Sequence, residues 1–161
     1  MRRVQLDAVI RGVDAGTVFD NILQFGRYPE YAPHVQSTTV HETVPGTTGK
    51  SSWELHFRSG LLRWTERETF RRDDLRLEFE QTTGDFDEFS GVWTLRQDGA
   101  DTALRFECDF DFGIPSLEGI LDPIAERVIK ETVAWTVVGM FDDVALAEQF
   151  DIVPSRDPVV R

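Results

Sequence analysis

Between Leu104 and Phe112 every second residue is large and apolar or a cysteine (Leu104, Phe106, Cys108, Phe110, Phe112), and Arg105, Glu107, Asp109 and Asp111 fill the gaps. Side chains alternate across a strand, so this run reads as a β-strand with one face on a core and the other in water. Beyond Gly113 and Pro115 the apolar spacing changes from two to about 3.6, with Ile124, Val128, Thr132, Trp135 and Val138 on one stripe. Asp122 and Pro123 have the chemistry of a helix start, and the pattern predicts a helix from Pro123 to about Glu148, roughly 39 Å long at ~1.5 Å per residue. One strand face and one long helix must therefore cover each other.

The residues before Leu104 extend the same sheet. Val4, Leu6, Ala8 and Ile10 alternate with polar neighbours as a first strand. Asp14 offers a cap for a short helix through Val18, Phe19, Ile22 and Leu23, and a second short helix is expected around Pro29–His34. Strands are then predicted near Ser37–Val44, Ser51–Phe57, Leu62–Phe70, Leu75–Thr82, Phe86–Arg96 and Thr102–Phe112, separated by Pro45-Gly46, Ser59-Gly60, Asp73-Asp74, Thr83-Gly84 and Asp98-Gly99. The expectation is an α+β fold: a curved, seven-stranded antiparallel sheet around the C-terminal helix, as one domain over residues 1–150. The tail, 151–161, carries Pro154 and Pro158 and reads as flexible.

Charge and cysteine content narrow the function. With 17 Lys+Arg against 29 Asp+Glu the formal charge is -12, which disfavours nucleic acid and anionic membranes as partners. A lone cysteine excludes an intrachain disulfide framework and a multi-cysteine zinc site. Neither a signal-peptide core nor a run of ~20 apolar residues is present, so a cytoplasmic protein without a membrane span is expected.

Familiar catalytic motifs fail on inspection. Gly46 to Ser51 ends like a phosphate-binding loop, but Val44 stands where that motif needs glycine, and a strand follows. Ser59-Gly60 and Ser90-Gly91 lack the preceding glycine of a nucleophile elbow. His34, His41 and His56 have no ligand spacing for a metal, although Glu30 stands four residues before His34. Cys108, among phenylalanines, reads as core or pocket lining.

The residues left over are bulky side chains at alternating positions. Trp53, Leu55, Phe57, Phe79, Phe89, Trp93, Phe106, Cys108, Phe110 and Trp135 are candidate walls of a ligand cavity of at least a few hundred Å3, the common size of such sites. The Leu62–Phe70 strand has two imperfect faces. Leu62, Trp64, Glu66, Glu68 and Phe70 share one parity, and Arg63, Thr65, Arg67 and Thr69 the other. Either one sends an ionisable group inward, where it must be paired or used on a ligand.

This order of elements, with Tyr28-Pro29-Glu30-Tyr31 before the second strand, resembles the helix-grip superfamily of START-like polyketide cyclases and lipid-transfer proteins. The resemblance is carried by Thr83-Gly84-Asp85-Phe86-Asp87-Glu88-Phe89-Ser90-Gly91-Val92-Trp93, like the family's sixth strand, and by Thr102 to Phe112, like its seventh. It covers nearly all of residues 1–148. The resemblance implies kinship with aromatase/cyclases of type II polyketide pathways, and so with antibiotic biosynthesis, and with coenzyme Q-binding START proteins. In the former a strand-borne arginine faces the pocket. Thr65-Glu66-Arg67 matches that stretch, which implies that Arg67 polarises the ligand and that Arg63 and Thr65 also face inward. The family's pocket tyrosine falls at Val35, with Tyr31 nearby out of register. Glu66, Glu68 or His56 would then be the base for an aldol cyclisation, without metal or redox cofactor. The expected partner is a small hydrophobic or polyketide ligand, free or tethered to a carrier protein. The rival readings are a non-enzymatic carrier of a lipid, quinone or aromatic product, and a module that modulates another protein.

Overall fold

The computed structural model describes residues 1–44 and 47–150. Strands β1 (Arg2–Ile10), β2 (Val35–Val44), β3 (Thr48–Phe57), β4 (Gly60–Arg71), β5 (Arg76–Gly84), β6 (Glu88–Asp98), β7 (Asp101–Asp111) and β8 (Val144–Leu146) form one sheet. Its order is β2-β3-β4-β5-β6-β7-β1-β8, and the paired strands run antiparallel. Helices α1 (Ala15–Ile22) and α2 (Tyr28–Tyr31) precede β2, and α3 (Glu118–Met140) crosses the inner face. The Asp14 carboxylate caps α1, accepting from the Thr17 backbone N–H at 3.0 Å. No helix among the described residues is long and apolar enough to cross a membrane.

The alternation along β7 fixes the core. Leu104, Phe106, Cys108 and Phe110 are buried, as are Val4, Leu6, Ala8 and Ile10 paired with that strand, while Arg105 faces water. From α3, Ala125, Val128, Ile129, Val133, Ala134, Val137 and Val138 complete the layer.

Four expectations are corrected. The sheet has eight strands, not seven, because the chain after α3 turns back and lays Val144–Leu146 along the free edge of β1 at Ala8–Ile10. For the same reason the helix ends at Met140 rather than Glu148: Phe141 is extended, and the Arg11 N–H takes the Asp143 carbonyl at 2.9 Å. The helix also begins five residues early, at Glu118, so Pro123 sits inside it and Asp122 is a buried helical residue rather than its cap. The second short helix is Tyr28–Tyr31, after a 3-10 turn at Phe25–Arg27. The Pro45-Gly46 turn and the 151–161 tail lie outside the described residues.

The Gly91-Val92-Trp93 stretch has a packing reason. A Cβ on Gly91 would stand 2.5 Å from the Phe79 ring and 2.5 Å from the Glu107 carbonyl oxygen. Only a bare Cα lets Phe79 lie across β6, which leaves Trp93 to point into the interior.

Candidate functional site

Between α3 and the middle of the sheet lies a cavity of about 60 Å3. Its wall is aromatic: Phe25 and Tyr28 below, Trp53 from β3, Trp64 from β4, Phe79 from β5, Phe89 and Trp93 from β6, and Phe106 from β7. Leu55, Leu77, Ile129, Thr132 and Val133 fill the remainder, and Glu66 is its one carboxyl group. The cavity is smaller than the few hundred Å3 expected, because these rings pack against one another. Trp53 stacks on Trp64 at 6.0 Å and Phe79 on Phe106 at 6.0 Å, and Phe89 stands edge-on to Trp64 at 5.1 Å.

Glu66 and Glu68 follow Leu62 and Trp64 on the buried parity of β4, only 5% and 1% exposed. Each is held by neutral donors. The Trp64 indole Nε1 donates to Glu66 Oε1 at 2.8 Å, the Ser51 hydroxyl donates to Glu68 Oε2 at 2.6 Å, and the Trp53 Nε1 donates to Ser51 Oγ at 2.8 Å. Burial drives the Glu66 carboxyl well above the ordinary carboxylate range, and the hydrogen bond to Glu68 and its charge push it further. Burial also raises Glu68, while the bonds from Glu66 and Ser51 favour its charged form. Burial and the neighbouring carboxyl thus both favour the protonated form at Glu66, and burial favours it at Glu68 as well. Tyr28 is raised well above its usual value by burial and then by these two carboxyls, and its hydroxyl donates to the Ile22 carbonyl at 2.7 Å. Across from Glu66, β5 bulges at Thr82, so Glu66 pairs with Gln81 where Thr65 pairs with Thr83. A bulge of this kind re-aims neighbouring side chains.

The inward parity of β4 is thus the opposite of the one the family resemblance implied. Arg67 is exposed on the outer face, in a polar groove with Arg3, Arg71, Arg76 and Glu80. Arg63 is also outward, its Nε 2.7 Å from Glu54 Oε2, and the Thr65 hydroxyl bonds Ser52 there at 2.7 Å. The reason is the cost of burial: Leu62 and Trp64 share a parity with the glutamates, and a carboxyl can be buried by taking a proton where a guanidinium cannot shed one. His56 is exposed at the end of β3, away from the cavity.

Among the expected walls, Trp53, Leu55, Phe79, Phe89, Trp93 and Phe106 line the cavity. Phe110 is fully buried in the core against Phe86, and half-buried Phe57 packs on Phe112 at 5.9 Å, so neither lines it. Cys108 is buried beside Gly91, its thiol pushed far up by burial. Trp135 is half-buried against the core without lining the cavity, and its indole N–H has no partner among the described residues, while Tyr31 belongs to the seam between α3 and α2. The Tyr31 ring fills the space a Gly139 side chain would need, and its hydroxyl meets Arg27. His34 pairs with Glu131 of α3 at 3.1 Å rather than with Glu30. The missed lining residues are Phe25, Tyr28, Trp64, Leu77, Ile129, Thr132 and Val133. Trp64 was legible, since it shares a parity with Leu62 and Phe70.

Residues 12–134 match the family described as polyketide cyclase/dehydrase and lipid transport. None of the curated proteins matches the sequence. Among solved structures, TTHA0849 from Thermus thermophilus superposes with a TM-score of 0.76 at 23% identity, over 86% of this chain and 94% of that one. The Zhui aromatase/cyclase of a Streptomyces species gives 0.72 at 17%, over 86% and 92%. A START superfamily protein from Mycobacterium smegmatis gives 0.72 at 13%, over 86% and 96%. At these identities the likeness is one of fold: a helix-grip, START-like architecture.

Proposed function

Since the chain belongs to the polyketide cyclase/dehydrase and lipid transport family, we propose that its cavity holds the reacting end of a polyketide or aromatic intermediate and promotes aldol cyclisation and dehydration. The single observation that carries this reading is the buried carboxyl of Glu66, on an otherwise largely apolar cavity wall and backed by buried Glu68; burial and that neighbour push it toward the protonated form. A buried base with a raised pKa is suited to proton transfer near neutral pH. The pair takes up a proton from the acidic carbon between two carbonyls through Glu66, whose own proton passes to the Glu68 carboxylate, and the carbanion attacks a second carbonyl to form the C–C bond. The now fully protonated pair returns a proton to the new alkoxide. In dehydration a C–H proton again goes to the pair, and a proton from the pair leaves with the hydroxyl as water. The protein ends each step as it began. The aromatic wall bends the chain and excludes water, and the rings move apart to admit anything larger than the 60 Å3 now open. In this reading the ligand arrives free or tethered to a carrier protein, in the cytoplasm.

A carrier role is the second reading. It is favoured by the rest of the wall, where Leu55, Leu77, Ile129 and Val133 offer only apolar contact. The deciding experiment incubates the protein with a short poly-β-ketone thioester and follows cyclised, dehydrated product by mass. Turnover that falls ~100-fold or more in Glu66→Gln supports catalysis. Binding without turnover in the parent protein hands the site to the carrier reading.

A further inference from the structure

We infer that the Trp93 indole N–H anchors a neutral carbonyl oxygen of the ligand, so that the cavity selects an aromatic ketone over a hydrocarbon of the same shape. This rests on reading the cavity as the ligand site.

The other side-chain donors of the wall are committed. Tyr28 gives its hydroxyl proton to the Ile22 carbonyl, and Thr132 gives its own to the Val128 carbonyl, each at 2.7 Å. The Trp53 indole donates to Ser51 and the Trp64 indole to Glu66. Trp93 also lines the cavity and is only 5% exposed, yet its N–H has no partner among the described residues. Unlike the Trp135 nitrogen, that of Trp93 is not sealed from a water-sized molecule. A buried N–H is normally paired, and one left bare on a cavity wall is a donor waiting for an acceptor.

The protein around Trp93 supplies none. Across the sheet it pairs with Leu77 on β5 and Phe106 on β7, and its inward neighbours on β6 are Gly91 and Leu95. The Phe106 ring stands edge-on to the indole at 5.0 Å. Glu66 lies elsewhere on the wall: Leu77 faces Phe70 on β4, and Glu66 comes four residues before Phe70, about 13 Å along the strand at ~3.3 Å per residue. Phe79, lying across Gly91, occupies the row between them. The wall thus runs from an acid through an aromatic ring to a bare donor. A hydrocarbon laid against Trp93 leaves the N–H unpaired, whereas a ketone oxygen accepts from it. A carboxylate would accept too, but it would be buried without a cation, since no arginine, lysine or histidine lines the cavity.

The small cavity calls for one-ring probes. Acetophenone and ethylbenzene have nearly the same shape and differ at the carbonyl, and Trp93→Phe keeps an aromatic wall while removing the N–H. Both probes are titrated calorimetrically into the intact protein and the variant, and comparing each probe across the two proteins cancels the difference in hydrophobicity. The substitution is expected to weaken acetophenone on the order of tenfold more than ethylbenzene. Should the variant fail to fold, the assigned indole N–H resonance of Trp93 in the parent protein still decides: it moves downfield as acetophenone binds and not as ethylbenzene binds. Equal losses for the two probes, or no downfield movement specific to acetophenone, overturns the inference and leaves the cavity as the ligand site. Binding of neither probe overturns both.

Discussion

Trp53 and Trp64 lie face to face across β3 and β4, ring centroids 6.0 Å apart and planes only 4° from parallel. Their indole N–H groups serve one acid network from two ends: Trp64 donates to Glu66, and Trp53 to the serine that holds Glu68. The stacked rings are at once the cavity wall and the scaffold that fixes the carboxyls, so packing and electrostatics at this site cannot be changed separately.

Ser51 is the joint of that network. Ser51→Ala leaves the Glu68 carboxylate without its hydroxyl donor and the Trp53 indole without an acceptor, both buried. A loss of about 2–3 kcal/mol is expected in denaturant titrations at neutral pH. The loss should shrink in acid, where Glu68 no longer needs a donor to its charge.

Protonation gives a second readout. The folded-state pKa of Glu66 lies well above its ordinary 4.5 and that of Glu68 is also raised, so the native protein binds protons more tightly than the unfolded chain. Their contribution is fully present below about pH 4.5 and is lost as the pH rises toward the folded values. Melting curves of Glu66→Gln and the parent should nearly coincide at pH 4, with the variant gaining relative stability at each step up to pH 8. A difference that stays constant with pH would mean that Glu66 is not held protonated.

Arg67 stands outside. Arg67→Ala is expected to change stability by no more than about 0.5 kcal/mol and to leave ligand affinity and turnover as they are, since the side chain is exposed on the far face of the sheet from the cavity. A loss of activity would mean that the outer groove takes part in function.

Gly91→Ala tests how tightly the wall is built. The new methyl would meet the Phe79 ring and the Glu107 carbonyl oxygen, each at 2.5 Å, and the backbone oxygen cannot move aside without disturbing the pairing of β6 with β7. Destabilisation of about 2–3 kcal/mol is expected, with Phe79 displaced into the cavity and probe binding weakened. An unchanged denaturation midpoint would refute this account of the glycine.

The fold was legible where one physical requirement dominated. Leu104–Phe112 can bury only one face, and the turn residues between the strands leave few ways to connect them. The inward face of β4 was harder, because each parity mixes two charged residues with others that tolerate burial. Leu62, Trp64 and Phe70 pointed to the correct side, and the likeness of Thr65-Glu66-Arg67 to a familiar stretch pointed to the wrong one. Paired burial of Glu66 and Glu68 has only part of its signature on β4, the Trp64 indole that donates to Glu66; Ser51, the donor to Glu68, and the Trp53 indole that donates to Ser51 come from β3. The helix end was hidden for a similar reason. Val144–Leu146 continues an apolar stripe that would suit a helix, and only the open edge of β1 draws it into the sheet.

That edge also bears on how the protein is made. Val4 pairs with Cys108 and Ala8 with Leu146, so β1 leaves the ribosome long before either of its neighbours exists. At ~5–20 residues per second, the roughly 100 residues between β1 and β7 take on the order of 5–20 s to synthesise. Through that interval a strand with Val4, Leu6 and Ile10 on one face has nothing to pair with. Closure of the sheet therefore joins segments synthesised far apart in time, and β1 is the strand that most needs shielding while β7 is still being made.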